Sequence, residues 1–155
     1  MALMSALKDR LRTDLTTAMK AREELRASTL RMALTAITNA EVAGKAAKEL
    51  TDDEVVGVLS SEAKRRREAA TAYDEGDRPE RAERERAEAE VLADYLPTPL
   101  TDAEITALVE KAIADTGAAE QGMKAMGRVM GVVTPQTKGR ADGGAVAAEV
   151  KRQLA

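Results

Sequence analysis

No phenylalanine, tryptophan, histidine or cysteine occurs anywhere in this chain, and tyrosine occurs only at Tyr73 and Tyr95. Any core must therefore be assembled from Leu, Ile, Val, Met and Ala. Such side chains pack well between helices, and Ala, Leu, Met, Glu, Lys and Arg are the strongest helix formers. Strands draw on aromatic and β-branched residues that are scarce here. The expected fold is all-α.

The same absences narrow the chemistry. Without cysteine there is no disulfide, thiolate nucleophile or iron–sulfur site, which fits a reducing compartment. Without histidine the commonest general base and metal ligand is missing. No metal or cofactor is expected. Lys8, Asp9, Arg10 and Arg12 interrupt the N-terminus before a signal-peptide core could form, and no run approaches the roughly 20 apolar residues that span a bilayer. The expectation is a cytoplasmic protein with no membrane partner. Residues 1–99 hold 17 Lys/Arg and 20 Asp/Glu, and residues 100–155 hold seven of each. Neither part is globally basic, so general electrostatic binding of DNA is not expected, although a local patch is compatible with these totals.

Apolar periodicity predicts a helix over about residues 2–21, with Leu3, Leu7, Leu11 and Leu15 inward. A second covers 23–42, with Gly44 as its stop and residues 45–50 as a polar link. Thr51-Asp52-Asp53-Glu54 is a capping box that starts a third helix. Residues 74–77 break it, and Asp77 with Glu80 predicts the cap of a fourth helix running to Leu96. Leu96-Pro97-Thr98-Pro99 cannot continue a helix. A proline hinge is therefore expected between a four-helix domain, 1–96, and a three-helix domain, 97–155. Thr101-Asp102-Ala103-Glu104 caps the fifth helix, which ends near Gly117. The sixth spans 121–133 and stops before Pro135. A Lys/Gly loop over 135–139 follows, and Asp142 caps the last helix.

Three features bear on function. The run Lys64-Arg65-Arg66-Arg67 spreads over about 300° of a helix, so it forms no single patch. It reads either as a salt-laced solvated face, with Glu62 and Arg66 paired, or as phosphate contacts from Lys64 and Arg67, which share a side. The Arg/Glu-rich fourth helix reads as solvated or partner-facing. On the sixth helix, with Lys124 at 0°, Met126, Val129, Met130 and Val133 fall between about 140° and 240°, which is a core face. Gly127 and Gly131 fall opposite, near Lys124 and Arg128. Each mid-helix glycine costs roughly 1 kcal/mol relative to alanine. Either a ligand backbone approaches closely there, its phosphates met by Lys124 and Arg128, or another helix packs against the strip. Lys138, Gly139 and Arg140 add two cations and a flexible loop ahead of a helix N-terminus, which favours anions. This is not a P-loop, since the Gly-x-x-x-x-Gly-Lys-Ser/Thr pattern is absent.

Gly127-Arg128-Val129-Met130-Gly131, Pro135 and Lys138-Gly139-Arg140-Ala141-Asp142-Gly143 together resemble the C-terminal signature of the GatB/YqeY family. Arg128 stands where that family usually has lysine. Leu30-Arg31-Met32, Asn39-Ala40-Glu41, the Lys64–Glu68 run and Tyr95-Leu96-Pro97 extend the resemblance over essentially the whole chain. It implies an N-terminal helical domain and a module similar to the tail of the B subunit of the glutamine-dependent tRNA amidotransferase, where the tail contacts the tRNA body. The family's carbon–nitrogen ligase label, with glutamine as amide donor, then travels with the tail and not with catalytic residues. Glutamine hydrolysis needs an activated Ser or Cys. The serines are Ser5, Ser28, Ser60 and Ser61. Lys64 beside Ser60 and Ser61 on a polar helix supplies no oxyanion hole. Two expectations follow: an accessory factor that binds tRNA or another structured RNA, or a helical adaptor for a protein partner. Catalysis by this chain alone is a distant third.

Overall fold

The computed structural model describes residues 5–155, and among these the chain is α-helical with no strand. It divides into two compact units, one ending at Leu96 and the other spanning Pro97–Ala155.

In the first unit, α1 (Ala6–Lys20), α2 (Glu24–Val42), α3 (Asp52–Glu75) and α4 (Pro79–Ala93) enclose one core. Leu11, Leu30, Ala33, Ile37, Val55, Leu59, Ala63 and Leu92 are fully buried in it. Ser5 caps α1 by accepting from the Lys8 amide at 3.1 Å. The predicted box at Thr51 forms in both directions. Residues 1–4, including the predicted inward Leu3, lie outside the described residues.

Three local expectations are corrected. Gly44 does not stop α2; the helix ends at Val42 with Ala43 still in right-handed geometry. The link to α3 is not wholly polar, because Leu50 enters the core. Asp77 does not cap α4. It takes a left-handed φ of 57°, and no side chain caps that helix. A capping residue needs extended backbone to aim its oxygen at the first turn, and the left-handed geometry of Asp77 denies it that.

The larger correction concerns α4. Its charges do not all face solvent. Glu85 and Glu88 turn toward α3 and meet Arg66 at 3.8 Å each, while Glu62 holds the same guanidinium at 3.0 Å. The four side chains are only 20, 18, 13 and 11% exposed, in the order Arg66, Glu85, Glu88, Glu62. Arg66 also touches Met32 of α2. Between α1 and α2, Lys8 donates to both Glu41 oxygens at 2.8 and 2.9 Å, and Glu41 also accepts from the Leu50 amide. Tyr95 closes the unit. Its hydroxyl donates to Asp14 at 2.5 Å and accepts from Arg26 at 3.2 Å, with the Arg10 guanidinium 4.5 Å above the ring. Burial, then the Asp14 carboxylate, push its phenol up to about 12.

In the second unit, α5 (Asp102–Thr116) is followed by two single 3-10 turns, Ala118–Glu120 and Gly122–Ala125, then α6 (Met126–Thr137) and α7 (Gly143–Leu154). Val109, Val129, Val133, Val146 and Val150 form its buried centre. The Thr101 box forms, Gly117 closes α5 in left-handed geometry, and Asp142 caps α7. The sixth helix departs from expectation at both ends. Its first predicted turn is 3-10, and it runs through Pro135 to Thr137. Pro135 removes only one hydrogen bond, to the Gly131 carbonyl, and Gly131 is exposed, so water can reach that oxygen.

Replacing Arg66 with methionine leaves three poorly solvated carboxylates without their shared cation. The expected cost is about 3 kcal/mol in urea unfolding, against at most about 0.5 kcal/mol for Arg65→Met, whose side chain is 71% exposed. The hydrogen bonds from Lys8 hold the Glu41 carboxyl below its ordinary range. A carboxyl lowered in the folded state stabilises above its unfolded pKa and loses that contribution as pH falls through the folded value. The stability difference between wild type and Glu41→Gln should be flat above about pH 5 and shrink on acidification below the unfolded carboxyl pKa of about 4.3. Denaturant melts across this range check it.

Candidate functional site

The outer side of α6 is built by what its inner side needs. Val129 and Val133 are buried, and Met126, Met130 and Val132 are half-buried against the same core. At 100° per residue, Thr134, Gly127, Gly131, Pro135 and Arg128 then share an arc of about 120°. All five are exposed. A methyl group built at Gly127 or Gly131 meets nothing within 4 Å. Within its own unit, the glycine strip is therefore not a seat for another helix.

The predicted site residues separate into three groups. Gly127, Arg128 and Gly131 lie together on the open arc. Lys124 and Lys138 flank it, exposed, one on the preceding 3-10 turn and the other closing the helix. A 3-10 turn advances about 120° per residue, so the bearing of Lys124 differs from the helical expectation. The twelve-residue α6 sets the two lysines about 20 Å apart along the axis. Neither forms an ion pair among the described residues. Arg128 donates to the side-chain oxygen of Gln121 at 2.7 Å.

Gly139 and Arg140 serve the fold. Gly139 has a left-handed φ of 77°, which a side chain would strain. Arg140 is half-buried, its Nε donates to the Thr98 carbonyl at 3.0 Å, and its own carbonyl accepts from Leu100 at 2.8 Å. Arg140 also lies near enough to Glu104 to lower that carboxyl further, after the hydrogen bonds from Thr101. The expected anion site at the start of α7 is filled from within. The Asp142 carboxylate accepts from the Ala145 amide at 3.2 Å and brings negative charge where a phosphate would have to sit. Lys64 and Arg67 are exposed on α3, in the other unit.

The unit's charge totals conceal a segregation. Residues 121–141 carry Lys124, Arg128, Lys138 and Arg140 and contain no Asp or Glu. The seven acids of this unit lie on either side of that run, at 102, 104, 110, 115, 120, 142 and 149. Glu149, which fastens α7 to Thr106 of α5, is lowered to about 2 by hydrogen bonds from Arg152, Gln153 and Thr106.

A family model described as Yqey-like protein matches residues 8–154. The chain belongs to the YqeY-like family. That family is related to the C-terminal region of GatB. No curated protein matches the chain. The match runs through both units and takes in the whole of α6. Sequence reasoning missed Gln121, because a neutral acceptor seven residues before an arginine has no periodic signature. It also missed the internal ties of Arg140.

Since a methyl at either glycine meets open space, and neither glycine has a positive φ, alanine should fit both positions. Gly127→Ala and Gly131→Ala should each stabilise the second unit by up to about 1 kcal/mol, through helix propensity and a less flexible unfolded chain. For a unit of this size, calorimetry should show each midpoint rising by a few degrees.

Proposed function

We propose that this YqeY-like protein is a non-catalytic accessory factor that grips tRNA or another structured RNA by its backbone, in the service of glutamine-dependent amide transfer carried out by other proteins. The observation that carries the reading is the acid-free run 121–141, whose cations flank a helix with an uncovered glycine backbone. The family's relation to the GatB C-terminal region supports it. With Tyr73 and Tyr95 of the first unit as the only aromatic residues, the surface has no aromatic ring on which single-stranded bases could stack. Phosphate and shape recognition is the mode that remains. Lys124, Arg128 and Lys138 supply the charge. Gly127 and Gly131 let the sugar–phosphate chain approach main-chain atoms that any side chain would hold off.

A second reading, a helical adaptor for a protein partner, is favoured by one observation. Met123 is 49% exposed directly beside Lys124.

Binding of a folded tRNA transcript should weaken steeply with salt. The Lys124→Glu/Arg128→Glu/Lys138→Glu variant should bind at least about tenfold more weakly, with a salt slope shallower by about two to three. Arg140 is spared in this variant because the fold uses it. Gly127→Ala with Gly131→Ala should also weaken binding while stabilising the unit, whereas Gly57→Ala, at another open glycine on α3, should leave binding alone. Affinity untouched by the charge reversals sinks the RNA reading. A protein partner that co-purifies after nuclease treatment, and is lost in Met123→Glu, would move the choice to the adaptor.

A further inference from the structure

We infer that Gln121 is a positioning residue of this surface: its side-chain oxygen holds the Arg128 guanidinium across the 3-10 turn with its positive charge intact, which makes Arg128 a preset phosphate contact. The inference rests on the RNA reading above and adds to it a residue outside the family-like motif.

Carboxylates fix many of the other arginines of this protein. Arg65 and Arg66 are held by Glu62, Arg84 by Glu88, Arg86 by Asp74, and Arg152 by Glu149. In each case the carboxylate that orients the guanidinium also cancels its charge. Arg128 differs. Its only side-chain partner among the described residues is the neutral Oε1 of Gln121, at 2.7 Å. An amide oxygen orients through one hydrogen bond and leaves the net charge in place. One Nη is engaged, and the remaining N–H donors of the planar fork keep the geometry that suits two phosphate oxygens.

The backbone is arranged to allow this contact. Gln121 ends the first 3-10 turn, with its amide donating to the Ala118 carbonyl at 2.9 Å. Gly122 then takes a left-handed φ of 58°, which reverses the chain and sets Gln121 beside a residue seven positions further on. Glutamine there is exposed and contributes nothing to the core. Its substitution should therefore leave the fold standing. Ordering one long side chain before binding removes a cost of about 0.5–1.5 kcal/mol from association, a two- to tenfold effect on affinity.

The test uses Gln121→Ala and Gln121→Glu in the full chain, with a folded tRNA transcript over a sodium chloride series. Gln121→Ala should lose about two- to tenfold in affinity with an unchanged salt slope, because the charge survives and only its placement is lost. Gln121→Glu should lose more, with a slope shallower by roughly 0.7–0.9, because one phosphate contact is cancelled. A merely structural role would move the midpoint of unfolding and leave the salt slope alone. A second arm follows the Arg128 Nε–Hε NMR signal while inorganic phosphate is added at low ionic strength. It should shift in wild type and stay fixed in Gln121→Glu. If the transcript binds and Gln121→Glu matches wild type in affinity and slope, the inference is overturned while the RNA reading stands. If the transcript does not bind, the RNA reading fails. The phosphate arm then decides the inference alone: an Arg128 signal indifferent to phosphate in wild type overturns it.

Discussion

The first unit depends on one guanidinium. α4 buries only Ala82, Ala89, Val91 and Leu92, and the first two offer a single methyl each. So narrow an apolar stripe would not by itself hold a fifteen-residue helix against α3. Glu85 and Glu88 occupy the rest of the inward side, and carboxylates there are offset by the Arg66 charge 3.8 Å from each, with Arg84 also on Glu88 at 3.3 Å and Glu62 bonded to Arg66. The arrangement also accounts for the alanines. Ala63 and Ala70 of α3 and Ala82 and Ala89 of α4 are nearly inaccessible, and small side chains let two backbones come close enough for the Arg66 cluster to close. Leucine at any of the four would part the helices and leave charges half-dried and unpaired.

The second unit meets the same shortage of large side chains differently. Its centre is a set of valines on α5, α6 and α7, and no buried ion pair holds it together. With the apolar work done by one side of α6, the other side is free of packing duty. Glycine is the costliest residue short of proline to place there, and nothing in the unit compensates for it: Gly127 and Gly131 have neither a left-handed backbone nor a close neighbour. Gly139, by contrast, is explained by its own φ. Two glycines that cost stability without a conformational reason lie on the open side of α6, where the proposed RNA backbone would approach the main chain.

Much of this was legible because it is local. The Thr51 and Thr101 boxes, the Asp142 cap and the end of α5 at Gly117 depend on residues within one turn of one another, and each took the expected place. The inward residues of α6 followed from periodicity for the same reason. What escaped the sequence depends on distant partners or on tolerance. The charges of α4 looked solvated because Arg66 is about twenty residues away. Pro135 looked like a terminator, yet in the last turn its missing donor affects one exposed carbonyl. Asp77 has the right chemistry for a cap, and the turn from α3 to α4 puts it in the wrong backbone region. The bond from Arg140 to the Thr98 carbonyl joins residues 42 positions apart, which no local pattern announces.

Net charge proved the least informative quantity. A unit with equal numbers of acids and bases would be dismissed as an electrostatic partner for RNA, yet the balance holds only as a sum. Four of the seven acids are committed, Asp102, Glu104 and Asp142 to helix starts and Glu149 to the α5–α7 contact, where Thr106, Gln153 and Arg152 surround it. Most of the cations of residues 121–141 are not committed in that way. Arg140 has its Nε bonded to the Thr98 carbonyl; Lys124 and Lys138 have no ionic partner among the described residues, and Arg128 has a neutral one. Glu120 and Asp142 border the run directly, and any acid beyond a Debye length of about 8 Å does little to cancel it. A phosphate chain laid along α6 would therefore meet a local field set by three lysine and arginine side chains, over a backbone left bare by two glycines. The neutrality of the whole unit would matter to it only at a distance.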